Sequence, residues 1–501
     1  MTSPPPLPAD LAERLRAVAA ALGGREAWLV GGAVRDLLLG RATKDIDLAV
    51  AGDALAVARG VADRLDGAFV PLDEAHQVAR VVLTAGGGLW LDFSALQGPL
   101  REDLARRDCT INALALPLAA ALGPGWGAHL VDPLGGRRDL QARLVRAASD
   151  AAFRADPARL LRALRLAAQL DFTVEPGTRR LLARDAALLT SVAAERLRDE
   201  LCLLLATPRA YGALRELDAL GLLGRLLPEL EPARGVGQPP EHYWDVFEHL
   251  LHTVEAAGVV LGEAPPAWIS LQALEPLPRP PELSGYFEGS WGGVPRATLL
   301  KLAALLHDVA KPETRAPDQR GRIRFLGHPD LGADRAEACL ERLRFSRAAI
   351  QLACALVRHH LRPTQMSHQV IPSDRAVYRY FRDLGEAAVP ALYLSCADWL
   401  ATRGPNLELE PWRAYLWRMA HVLGQYLHRP ERVAPPRLVD GNDLMAAFDL
   451  KPGPLIGRLL AAVQEAQGGG AVATRAEALE VAARALRRGG GRGGPPVAGS
   501  G

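Results

Sequence analysis

The apolar positions of this chain change period several times, and the changes mark out its elements. Leu11–Leu22 carries apolar residues at helical spacing, and the short apolar run Ala27–Val30 is strand-like and ends at Gly31-Gly32. From Ala33 to Leu39 the spacing of Val34, Leu37 and Leu38 predicts one helical face, with Gly40 as its stop. Asp45-Ile46-Asp47-Leu48 alternates polar and apolar, so a strand here turns both carboxylates to one face. Asp53–Leu65 reads as an alanine-rich helix, and Gln77–Thr84 and Leu89–Ala95 as strands joined by an Ala85-Gly86-Gly87-Gly88 turn. Helical periods then take over. Asp156-Pro157 predicts a helix start with Asp at the N-cap, Leu201–Leu227 continues as helix, and Pro405–Ala485 is again helical. Gly262–Gly293, rich in proline and glycine, is longer than an ordinary loop and is expected to be a surface insertion. The Gly-rich end, 488–501, is expected to be disordered. The fold class is α+β: a small sheet-and-helix head followed by all-α regions.

Composition narrows the setting. At 501 residues the chain is long enough for three or more domains. Formal charge is only +2, so a nucleic-acid site has to be a local patch, and Arg137–Arg180 supplies one, with ten arginines against five acidic residues. Five scattered cysteines without C-x-x-C spacing argue for a reducing compartment and against a disulfide frame or zinc ribbon. Met1–Asp10 lacks the basic and apolar regions of a signal peptide, and no apolar run is long enough to span a bilayer. A soluble cytoplasmic protein with no membrane partner is expected.

The chemistry begins at the two carboxylates. Asp45 and Asp47, two apart on a strand, can converge on one cation, and hard oxygen ligands exposed at a turn suit Mg²⁺ shared with substrate phosphates. The Gly31-Gly32 turn lets the backbone approach a polyphosphate, and the helix start behind it favours an anion. Two-metal phosphoryl transfer usually needs a third carboxylate. By its order and strand context Asp92 is either that group or an ordinary exposed strand aspartate.

Gly31-Gly32-x-Val34-Arg35-Asp36, with Asp45-x-Asp47 beginning nine residues after Asp36, resembles the nucleotidyltransferase signature of class II tRNA nucleotidyltransferases and bacterial poly(A) polymerases. Asp103-Leu104-Ala105-Arg106-Arg107-Asp108-Cys109-Thr110-Ile111-Asn112-Ala113 resembles a second block of that family, with Cys109 in place of its usual aromatic. The resemblance implies that Asp45, Asp47 and Asp92 are catalytic and that Gly31, Gly32, Arg35 and Arg107 bind nucleotide, Arg107 gripping triphosphate oxygens. In the family an E-D-x-x-R element reads the incoming base. Here Asp156 and Arg159 fill its last two positions while Ala155 replaces the acidic one. A carboxylate can accept from an exocyclic amine while a guanidinium donates to ring acceptors, which suits C and A. Arg162 and Arg165 follow every third residue and are expected to hold triphosphate or the RNA end. Glu195, in a block resembling S-x-E-R-x-x-x-E-L, is expected to brace the neck helices.

Most histidines fall in the second half of the chain. His307-Asp308, with His249, Gly327-His328, Arg358-His359-His360 and Ala397-Asp398, resembles the HD phosphohydrolase superfamily. That resemblance implies an HD metal site of His249, His307, Asp308, His328, His359 or His360, and Asp398. Such ligands suit a transition metal (Mn, Ni, Co or Fe), and an ion there makes hydroxide for phosphoester hydrolysis. The expected domains are a nucleotidyltransferase head (1–140), a helical neck binding RNA and nucleotide (141–235), an HD domain (241–400) and a helical tail (405–487).

Together these resemblances imply a template-independent, Mg²⁺-dependent nucleotidyltransferase acting on the tRNA 3′ end with CTP and ATP. Ten residues separate Asp92 from Asp103, where complete CCA-adding members carry a longer flexible loop. The expectation is therefore an enzyme that adds CC and leaves A to a separate A-adding enzyme. Complete CCA addition, a poly(A) polymerase, and an HD phosphohydrolase with an RNA-binding head are the alternatives.

Overall fold

The computed structural model describes residues 7–84, 88–366 and 371–490, and the chain divides after Leu226 into two compact units. The first unit is built on a six-stranded sheet of β1 (Ala27–Val30), β2 (Asp45–Val50), β3 (Ala68–Asp73), β4 (Val78–Leu83), β5 (Leu89–Ala95) and β6 (Ala115–Pro117). The strand order is β3-β4-β5-β2-β1-β6. In this sheet β2 and β5 pair in parallel and the other neighbours are antiparallel.

The alternation read from the sequence decides which face is covered. Ile46, Leu48, Leu91 and Phe93 are fully buried, while Asp45, Asp47 and Asp92 take the opposite face. Of the helices α1 (Ala9–Ala21), α2 (Gly32–Leu38) and α3 (Ala54–Leu65), α3 lies across β4 and β5 with Val57, Ala58 and Val61 buried. Asp53 caps α3 by accepting from the Ala56 N–H at 2.9 Å. The strands expected at Gln77–Thr84 and Leu89–Ala95 form as β4 and β5, but 85–87 of their turn lie outside the described residues. Strand β3 is not among the expected elements. Pro71 interrupts its apolar run and argues against a paired strand, and the structure uses it as an edge strand with most side chains exposed.

Two helical expectations change. The arginine helix runs Arg159–Leu170, its regular part starting later than Asp156-Pro157 suggested, although Asp156 is extended and accepts from the Ala158 N–H at 3.2 Å as a cap residue does. Leu201–Leu227 is not one helix. Pro208 and left-handed Gly221 (φ +68) divide it into the end of Ala194–Leu205, then Ala210–Ala219 and Leu223–Leu226.

The second unit is helical apart from two short hairpins. Val246–Val260, Arg296–Leu306, His328–Arg342, Arg347–His359 and Ala388–Arg403 pack on one another around a common core. The Gly262–Gly293 segment is not a surface appendage. It buries Ile269, Ala273 and Leu277, and its carbonyls accept from Trp412 Nε1 (at Ala273, 2.8 Å) and the Tyr393 hydroxyl (at Pro278, 3.2 Å). The tail forms Leu409–His428, Gly441–Phe448, Pro454–Gly468 and Arg475–Gly490, with a separate core of Val439, Leu444, Ile456, Leu459 and Val463. That last helix takes in the first three residues of the end expected to be disordered, 488–490, and 491–501 lie outside the described residues.

Gly135-Gly136 offers a test of packing in the first unit. A Cβ on Gly136 would stand 2.1 Å from the Thr110 carbonyl oxygen, whereas one on Gly135 would meet open space and only a left-handed backbone (φ +75). Gly136→Ala should therefore cost about 3 kcal/mol or more and Gly135→Ala about 1 kcal/mol. Thermal unfolding of the two variants checks the order.

Candidate functional site

Pairing across the sheet assembles the first site. Asp47 on β2 is in register with Asp92 on β5, and Asp45 lies two residues along, opposite Trp90. Three carboxylates thus share one open face. Burial raises Asp45 above the usual carboxylate range, and the charge of Asp92 adds to the effect. Burial pushes Asp47 up to about 6, with Asp45 and Asp92 adding to it against the pull of Arg107 and Arg35. Carboxylates raised by burial and by one another are groups whose charge a bound cation would satisfy.

Gly31 makes room for this cluster. It adopts φ +68, and a Cβ there would sit 2.9 Å from both Asp47 Oδ2 and Arg107 Nη1. The Gly31 N–H itself donates to the Leu114 carbonyl at 3.2 Å, so this amide is not available to a phosphate.

A cleft of the same unit joins Gly31, Gly32, Arg35, Asp45, Asp47 and Arg107 to Arg159, Arg162 and Arg165 of the arginine helix. The arginines are not equivalent. Arg35 is buried and committed, donating to Asp36 at 2.9 and 3.0 Å and to Asn112 Oδ1 at 2.8 Å; Asn112 in turn donates to Asp108. Arg162 and Arg165 both donate to the buried Glu200, at 2.8 and 2.7 Å. Arg107 and Arg159 each keep a buried Nε without a hydrogen-bond partner. Arg159 also donates from Nη1 to the Arg107 and Ala152 carbonyls at 3.3 Å, whereas Arg107 reaches the Asp103 carboxylate at 3.6 Å, so Arg107 is the less committed of the two.

Asp156 is not among the residues lining this cleft; it accepts from Arg196 at 2.8 Å and lies 3.6 Å from Arg159. Burial would raise its carboxyl, but the Arg196 hydrogen bond and the two guanidinium charges outweigh that and hold it below the usual range. Glu195 is exposed, and the bracing expected of it falls to Glu200, five residues further along the same helix and facing inward. Arg80 also escaped the sequence: on β4 it is in register with Asp92 and donates to both its oxygens at 2.7 Å. Only strand pairing reveals it.

The second unit brings six of its predicted ligands to one buried point. His249 Nε2 is 3.1 Å from Asp398 Oδ1, 3.2 Å from His307 Nε2 and 3.4 Å from Asp308 Oδ2. The other Asp308 oxygen, Oδ1, is 3.1 Å from His328 Nε2 and 3.6 Å from His360 Nε2. Asp308 therefore faces imidazoles on both sides. His307, His328 and His360 each fix Nδ1 on a carbonyl three residues back (Ala304, Phe325 and Val357, at 2.8, 2.6 and 2.7 Å), which turns Nε2 inward. Lys311 Nζ lies 2.5 Å from Asp308 Oδ2. Burial alone would raise Asp308, but the charges of His307 and Lys311 hold it well below the usual range. The donor set fits a transition metal.

His359 does not belong to this set. It precedes His360 on a helical path, so the two rings diverge by about 100°. Its ring is half-buried beside Arg358 and Arg362, whose charges join burial in lowering it below the ordinary histidine range.

Comparison with known proteins follows the same division. The family model described as "Poly A polymerase head domain" matches residues 27–97 and 92–146, and "Probable RNA and SrmB- binding site of polymerase A" matches 171–234. "HD domain" matches 282–403, a range that leaves out His249, which geometry adds, and "tRNA nucleotidyltransferase domain 2" matches 436–483. The chain is 39% identical over 459 residues to an A-adding tRNA nucleotidyltransferase of Deinococcus radiodurans, covering 90% of this chain and 94% of that one. It is 37% identical over 463 residues to a CC-adding tRNA nucleotidyltransferase of Thermus thermophilus, covering 91% and 92%. In fold it is similar to a CCA-adding enzyme solved in complex with ATP (TM-score 0.61, 21% identity, 96% of each chain).

Two measurements test this geometry. Metal content of the purified protein should fall on Asp308→Asn and His360→Ala and stay unchanged on His359→Ala, as read by elemental analysis. A cation at Asp47 must displace a proton held up to about pH 6. Mg²⁺ affinity should therefore be steady above that pH and fall by up to about tenfold per unit below it; calorimetric titration between pH 7.5 and 5 reads the slope.

Proposed function

Because the chain belongs to the tRNA nucleotidyltransferase family, we propose that its first unit adds two cytidines to the tRNA 3′ end from CTP, and that a separate A-adding enzyme completes that end with ATP. The observation carrying the CC reading is the connection from β5 to the helix Leu100–Ala105. It has four residues, and Gln97 ties it down, its N–H donating to Asp103 at 3.3 Å and its carbonyl accepting from Arg106 at 2.9 Å. A strap this short has no slack to rearrange between one base and the next.

In this reading Asp45 and Asp47 hold Mg²⁺, which when bound supplies positive charge at the triphosphate and a lowered pKa for the attacking hydroxyl. Asp92 orients the RNA 3′ hydroxyl. Arg107 takes phosphate oxygens, and Arg162 and Arg165, steadied by Glu200, line the path of the triphosphate or RNA end. Asp156 with Arg159 reads the base edge, Asp156 first loosening its bond to Arg196. The 3′ hydroxyl loses its proton to solvent and its oxygen bonds to the α-phosphorus as the opposite P–O bond breaks, and pyrophosphate leaves with that electron pair.

A second activity is favoured by the buried His/Asp cluster. With Mn, Ni, Co or Fe in place, His249, His307, Asp308, His328, His360 and Asp398 would support phosphoester hydrolysis, the metal supplying a water of lowered pKa. Five free cysteines suit a reducing cytoplasmic setting, and among the described residues no helix is long and apolar enough to cross a membrane.

The test is extension of tRNA ending at the discriminator base. CTP alone should add two residues and ATP should add none to the product; Asp45→Ala should abolish extension. Addition of A to tRNA already ending in CC, with none from CTP, would replace the proposal with an A-adding enzyme, and three residues from both nucleotides would make it a complete CCA-adding one.

A further inference from the structure

We propose that Arg80 is a positioning residue of the nucleotidyl-transfer site, whose guanidinium fixes Asp92 and holds the place of a divalent cation beside Asp45 until the ion arrives. The inference rests on the reading of Asp45, Asp47 and Asp92 given above. Cross-strand registers put Arg80, Asp92 and Asp47 in one row over β4, β5 and β2, all on the open face. Arg80 Nε and Nη2 meet the two oxygens of Asp92 at 2.7 Å each, and Nη2 reaches Asp45 Oδ1 at 3.6 Å. The exposed Trp90 ring lies 5.1 Å from the guanidinium carbon and backs the fork.

The two contacts differ in kind. The grip on Asp92 is a bidentate pair with both donors in plane, strong and directional. The contact with Asp45 is longer than a hydrogen bond, a Coulomb contact that an arriving cation can replace. A guanidinium stays charged at any working pH, so its charge stands among the crowded carboxylates with no metal present. It is not a Lewis acid, so it cannot lower the pKa of a hydroxyl as a divalent ion does. With a divalent ion held at Asp45, Arg80 would give up its contact there and keep its grip on Asp92, whose oxygens would meet the RNA hydroxyl already oriented. An ordinary surface ion pair would contribute little and would leave both properties unchanged on removal.

The experiment compares wild type, Arg80→Gln and Arg80→Lys. Mn²⁺ binding is followed by electron paramagnetic resonance, every protein carrying Asp308→Asn so that the histidine cluster does not contribute to the count. Single-turnover incorporation of CTP into tRNA is measured in parallel, with thermal unfolding as the folding check. Removing the competing cation should tighten Mn²⁺ binding about fivefold in Arg80→Gln. Loss of the fork should lower the incorporation rate at least about tenfold with KM for CTP little changed. Arg80→Lys keeps the charge and loses the fork, so its Mn²⁺ affinity should stay near wild type while its rate still falls. Unchanged affinity and rate in a folded Arg80→Gln would overturn the proposal, and so would weaker Mn²⁺ binding. If wild type incorporates nothing, the transferase reading fails, and the Mn²⁺ titration alone decides the place-holding role: tightening in Arg80→Gln supports it and no change overturns it.

Discussion

Like charges do not gather unless something holds them, and the first unit holds three. The parallel pairing of β2 with β5 sets Asp47 beside Asp92, and the two-residue period of β2 adds Asp45 on the same side. Burial and mutual repulsion raise Asp45 and Asp47, so this face favours positive charge. Much of the surrounding structure follows from that need. Gly31 takes a left-handed turn that leaves room for Arg107 against Asp47, and Arg80 clasps Asp92 from the far strand. The buried apolar face of the same strands, Ile46, Leu48, Leu91 and Phe93 against α3, supplies the rigidity that keeps the register in place.

What the sequence revealed and what it hid divide along the same line. Features written in local order were legible: the Gly-Gly turn, the alternation of Asp45 to Leu48, the arginines three apart, the neighbouring His307 and Asp308. Features that exist only through pairing were not. Arg80 is an unremarked strand residue until β4 meets β5, and Glu200 differs from Glu195 only in the direction its helix turns it. His359 and His360 are equal in sequence, and only the helical twist separates the inward ring from the outward one. The segment from Gly262 to Gly293 misled in the opposite way. Proline and glycine signalled a loop correctly, but a few apolar side chains, Ile269, Ala273 and Leu277, were enough to draw it into the core.

The second unit solves its crowding differently. Four of its six clustered groups are imidazoles, and three of these are held by backbone carbonyls three residues upstream, so ring orientation is a property of helix ends and turns rather than of a bound ion. Asp308 is the one carboxylate facing both groups of histidines, with Lys311 against it. One unit thus presents oxygen ligands on an open sheet face and the other presents mostly nitrogen ligands inside a helical core. That contrast suits them to different ions.

The arginine helix carries a further consequence. By sequence it belongs to the most basic stretch of the chain, yet Arg162 and Arg165 share Glu200, and the cleft they line sets Asp36, Asp45, Asp47, Asp108 and Glu200 against its five arginines. Much of the apparent positive charge is already neutralised within the unit. A polyanion entering the cleft meets few uncompensated guanidiniums and releases correspondingly few condensed counterions. Its grip should consequently decline only gently as salt is added, and discrimination would lie in the shape of the cleft rather than in bulk attraction.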